Sequence, residues 1–199
     1  MKVLAADRQV VLGAVEAVQT AATALDATDE VCLTGEGTKA RTSHRKAVPV
    51  TKTAEARLRS LTRTLAVYDG ALSSLAAASV AVEGTARAAL LRVVTNGKEE
   101  AAAVEVFRVR ANRVWPQYQA LDGFETLWIT RAVTPWYRTP QEGSNAYQVM
   151  VEDQRPALAA ARSELGAAVA SVGTSIALQS STLAAADKAL EAVRASTPS

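Results

Sequence analysis

One cysteine and one histidine occur in the 199 residues, and this scarcity excludes several chemistries at once. Cys32 alone forms neither an intrachain disulfide nor a multi-cysteine zinc or iron–sulfur site. His44 alone cannot supply the Glu-x-x-His pairs of a di-iron bundle. As a nucleophile–base pair, Cys32 and His44 lack an orienting third group and any family signature. No catalytic, cofactor-binding or metal-ligating residue is nominated, and a non-enzymatic role is expected.

Structure breakers and bulky side chains are also sparse. Ten glycines, six prolines and 5% aromatics leave little of the alternating, β-branched and aromatic pattern that strands need. The space is filled instead by 42 alanines, and arginine outnumbers lysine 16 to 6. Alanine is the strongest helix former, so the composition predicts an all-α chain. Its 49% hydrophobic content is enough for one domain with a buried core.

Apolar rows at three- and four-residue spacing locate the helices. The first row is Leu4, Val11, Ala14, Val18, Ala21 and Leu25, interrupted by Asp7. A second begins near Thr53, a capping residue, and runs Leu58, Leu61, Leu65, Tyr68, Leu72, Leu75, Ser79 and Val82, with Gly84 a possible kink and Asn96-Gly97 as its stop. The third, from Lys98 or Glu99, reads Val104, Phe107, Ala111, Val114, Tyr118, Leu121 and Trp128, with Glu125 intruding, Pro116 as a kink and Pro135 as its end. Ser144 or Asn145 would cap a fourth, which restarts at Pro156 and continues through Leu165, Val172, Gln179, Ala186 and Leu190. Gln179, the polar member of that row, is expected to fix register.

The predicted architecture is an elongated antiparallel bundle of about four helices, three of them long, forming one domain over 1–199 with a basic loop at 27–52 and a short polar C-terminal tail. The longest uncharged run, Leu165 to Ala186, is rich in Ser, Thr and Gln, so no transmembrane span is expected. Asp7 and Arg8 interrupt the first residues, and no signal peptide is expected in this chain. The compartment is left open.

Three regions are candidates for recognition. The stretch 38–63 carries eight basic side chains against Glu55 alone, a local +7 within a chain of net charge +2. Lys39, Arg41, Arg45, Lys46 and Lys52 could meet a polyanion, but no aromatic residues for base stacking accompany them, so nucleic acid is disfavoured. Thr34 to Lys39, TGEGTK, lacks Walker spacing and a preceding strand, and reads as a turn. Eight of the nine aromatics fall between Phe107 and Tyr147. Within that region Phe107, Trp115, Tyr118 and Trp128 could line an apolar ligand pocket. Trp136, Tyr137 and Arg138, on a turn between two prolines, could anchor a protein partner. The leading expectation is a non-catalytic protein acting by protein–protein contact, as an assembly component or an envelope- or surface-associated interaction domain, through self-association or a second partner.

Overall fold

A computed structural model describes residues 1–133 and 136–196. Among them every regular element is helical: α1 (Lys2–Leu33), α2 (Gly37–Ala78), α3 (Gly84–Val133), α4 (Pro140–Val151) and α5 (Arg155–Ser196), with single 3-10 turns at Ser79–Ala81 and Glu152–Gln154. The helices pack against one another as an all-α bundle. Four are long rather than three, at 32, 42, 50 and 42 residues. The expected end at Pro135 and the tail at 197–199 lie outside the described residues.

The largest departure from the sequence reading is at 27–52, which is helix and not loop. α1 continues to Leu33 and α2 starts at Gly37, leaving three residues between them. The buried row through this stretch is Ala40, Ala47, Thr51 and Ala54. It keeps helical spacing but contains no large apolar side chain, so hydrophobic periodicity misses it. Pro49 lies inside α2 at an exposed position, where the ~3 kcal/mol interior penalty of proline is set against burial of that row.

Helix ends differ for identifiable reasons. Asn96-Gly97 does not stop a helix: a Cβ at Gly97 would overlap Cδ2 of Leu72 and lie 2.9 Å from Nε2 of Gln179, so the glycine lets side chains of α2 and α5 pack closely on α3. The break falls earlier, at Gly84, which has φ of 65°, a conformation costly for residues with a side chain. Pro116 lies within a continuous α3. The cap of α4 is Thr139 rather than Ser144 or Asn145, its Oγ1 accepting from the Glu142 amide at 3.2 Å, with Pro140 in the first turn. Pro156 sits in the first turn of α5, close to the expected restart.

The helices contribute to two compact units. Unit 1 takes Met1–Gly13, Ser60–Arg108 and α5 from Ala167; unit 2 takes Ala14–Arg59 and Val109–Gly166. In unit 1 the core is built from Leu4, Val11, Leu61, Tyr68, Leu72, Val104, Phe107 and Val172, all buried. Its centre holds one charge pair: Arg8 donates through Nε to Oε1 of Glu100 at 2.8 Å and through Nη2 to Oε2 at 2.7 Å. The Tyr68 hydroxyl donates to the same carboxylate at 3.0 Å. Gln179, fully buried, donates to the Val93 carbonyl at 3.1 Å.

Two stretches, α1 and Gly37–Ala81, contain 18-residue windows of mean hydropathy 1.3 and 1.2 and are long enough to cross a bilayer. In α1, Leu4, Val11, Val15, Val18 and Leu25 are buried in the bundle; 39% of its window is buried, against 22% of the second. The run at 165–186, selected by lack of charge, is not among these stretches.

Candidate functional site

Unit 2 concentrates the unusual residues. The turn between α1 and α2 is allowed by glycine: Gly35 has φ of 77°, and a Cβ there would overlap the carbonyl of Pro140, while one at Gly37 would meet Ala132 at 2.8 Å. Ser144 Oγ donates to the Leu33 carbonyl at 2.7 Å, tying α4 to the end of α1. The TGEG string is therefore a packing device that lets the N-terminus of α4 approach the turn.

On this end lies the candidate recognition surface. Trp136 is 73% exposed. The residues after it are braced: Tyr137 stacks on Trp128 with ring centroids 6.4 Å apart, and the Arg138 amide donates to Glu142 Oε2 at 2.8 Å. Trp128 in turn is buried, meets Tyr147 edge-on at 5.5 Å and donates Nε1–H to the Gly143 carbonyl at 2.9 Å. A cleft of about 300 Å³ runs beside the turn, lined by Gly35, Glu36, Lys39, Tyr137, Arg138 and Pro140 among others. Of the three residues singled out on this turn, Trp136 and Arg138 are thus outward-facing and Tyr137 is half-buried.

The four aromatics suggested as pocket walls are core side chains, each no more than 5% exposed. Phe107 belongs to unit 1, the other three to unit 2. Trp115 stacks with Tyr118 at 5.6 Å, and its indole N–H points to Glu55 Oε1 at 3.4 Å.

Lys39, Arg41, Arg45, Lys46 and Lys52 are exposed on α2, not on a loop. Arg41, Arg45, Lys52 and Arg59 fall at intervals of four, seven and seven, which at ~100° per residue confines them to one stripe about 40° wide. Lys39 pairs with Glu36 at 2.6 Å, and Arg59 meets Glu55 at 3.9 Å.

Beneath the aromatic end, unit 2 buries a polar group of which the sequence marks only Glu125, as an intrusion in a seam. Asp29, 3% exposed, accepts from the Tyr147 hydroxyl at 2.8 Å and from Arg162 Nη2 at 3.1 Å. Arg162 also holds Asp26 at 2.7 Å. Glu125 is fully buried, and neither of its carboxylate oxygens has a hydrogen-bond partner. Burial, followed by the neighbouring charges of Asp29, Asp122 and Asp26, pushes its carboxyl up to about 10, opposed by Arg162. Cys32 is also fully buried, and burial raises its thiol well above the ordinary range, which leaves it a poor nucleophile. His44 lies within α2, where Nε2 is 2.8 Å from Asp122 Oδ1 and 3.2 Å from Thr126 Oγ1.

Comparison with protein-family models, curated proteins and solved structures gives no match for this chain.

Proposed function

We infer that the chain acts by protein–protein contact, with the end of unit 2 that carries Trp136 as its recognition surface. The observation that carries this reading is the exposure of Trp136 at 73% beside the stacked ring of Tyr137 and the tethered backbone amide of Arg138. Leaving a large aromatic surface in water forgoes its burial energy. A tryptophan next to an arginine on a braced turn has the composition of an interface anchor, and its neighbours lose little freedom on binding. The adjoining cleft is lined by Arg138 and by the ion pair of Lys39 with Glu36, and offers a partner both shape and charged groups.

The test uses Trp136→Ala, because Tyr137 also supports Trp128 and its removal would disturb the core. Self-association measured by sedimentation, or capture of a protein partner from the native source, should weaken at least tenfold with unchanged helical content. Association that is identical in wild type and variant would overturn this assignment. The cationic stripe on α2 favours a second reading, polyanion binding, which predicts an affinity that falls steeply with salt.

A further inference from the structure

The pairing of α2 with α3 places His44 opposite Asp122 and Glu125, although 78 residues separate His44 from Asp122 in sequence. Nε2 of His44 and one carboxylate oxygen from each acid lie within 4.8 Å of one another. Asp122 and Glu125 are three apart on α3 and so share a face. Two donors bound ~2.1 Å from one ion at ordinary coordination angles stand about 3.0–3.4 Å apart. The 2.8 Å between His44 and Asp122 therefore needs to open by only a few tenths of an ångström.

Glu125 gives the cluster its direction. A carboxyl that is fully buried with both oxygens unpartnered forfeits the hydrogen bonds it would make in water. The charges that act on it are mostly of its own sign: Asp29, Asp122 and Asp26 against Arg162. The side chains grade outward, from Glu125 with no exposure through His44 at 15% to Asp122 at 34%.

We propose that His44, Asp122 and Glu125 form a binding site for a divalent first-row transition metal, with Nε2 of His44 and one oxygen from each carboxylate as protein ligands. One imidazole and two carboxylates suit Zn²⁺, Co²⁺, Mn²⁺ or Fe²⁺ better than the all-oxygen shells of Ca²⁺ and Mg²⁺. Three protein ligands leave further positions for water. The ion would replace the contacts of Nε2 with Asp122 and Thr126, hold the imidazole with its proton on Nδ1, and displace to solvent the proton that burial keeps on the Glu125 carboxyl. The site is independent of the Trp136 surface.

The test is titration of tag-free, chelator-treated full chain with Zn²⁺ by calorimetry and with Co²⁺ by visible absorption. One ion per chain, appearance of Co²⁺ ligand-field bands and a rise in melting temperature with added metal are expected. His44→Gln and Asp122→Asn should each weaken binding at least tenfold. Glu125→Leu should abolish it while leaving the metal-free protein as stable as wild type or more so, because the orphaned carboxyl is removed; this separates loss of the ligand from loss of the fold. Cys32→Ser should bind as wild type. The proposal is overturned if no one-to-one binding occurs up to millimolar metal, if binding survives Glu125→Leu and His44→Gln, or if it depends on Cys32.

Discussion

Replacing Arg8 by methionine isolates the contribution of the charge pair at the centre of unit 1, since methionine keeps an apolar stem of similar length and removes the guanidinium. Arg8 is 12% exposed at its side chain and Glu100 is 0%, so neither charge is effectively screened by solvent. The guanidinium also donates to the Ile176 carbonyl at 3.0 Å and to Ser180 Oγ at 3.1 Å, joining α1 to α5 as well as α3. Removing one partner of a buried pair leaves the other charge uncompensated and costs about 3–5 kcal/mol. Arg8→Met should lose that much near neutral pH, read from urea unfolding followed by far-ultraviolet circular dichroism. All three tryptophans lie in unit 2, so their fluorescence in the same titration reports whether the two units unfold together.

Arg8→Met combined with Glu100→Gln retains an acceptor for the Tyr68 hydroxyl and no longer strands a charge. It should recover about 2 kcal/mol or more of the loss. A loss below ~1 kcal/mol in the single variant, or no recovery in the double variant, would refute the assignment of this pair as a buried and mutually dependent unit.

Other substitutions probe unit 2 and α2. Gly35→Ala meets both an unfavourable φ and the Pro140 carbonyl, and should cost about 2–4 kcal/mol, seen as a lower melting temperature. Gly70→Ala, inside α2 with open space around it, should instead stabilise by up to ~1 kcal/mol. Cys32, buried, should resist an aromatic disulfide reagent in the native protein and react fully in denaturant; rapid native labelling would contradict its burial. For the α2 stripe, Arg41→Gln, Arg45→Gln and Lys52→Gln together should flatten the salt dependence of heparin binding, and an unchanged slope would remove the polyanion reading.

Much of the fold is legible because a helix announces itself through local periodicity. Val11, Val18 and Leu25 in α1, Leu61, Tyr68 and Leu72 in α2, and Phe107, Val114 and Tyr118 in α3 stand in the predicted rows, and all are buried. The same logic fails where the buried row is made of Ala40, Ala47 and Ala54, because alanine is compatible with either face. Glycine fails for a different reason. Gly35 and Gly97 look alike in sequence, yet one ends a helix with a positive φ and the other admits a neighbour's side chain.

The polar interior was visible only as exceptions to a pattern. Glu125 interrupts an apolar seam on α3 and Glu100 lies just ahead of that seam; both are fully buried, but their environments are opposite. Glu100 is met by Arg8 and Tyr68, whereas Glu125 has no hydrogen-bond partner. Sequence marks Glu125 as costly, and periodicity places it inward, but what could offset that cost depends on helices far apart in the chain. Arg8 reaches Glu100 across 92 residues and His44 reaches Asp122 across 78. A charged residue inside a seam is therefore a request for a partner that the sequence cannot name. Where the fold supplies a guanidinium the request is met structurally, and where it supplies a histidine and a second carboxylate the complementary chemistry is that of a metal cation.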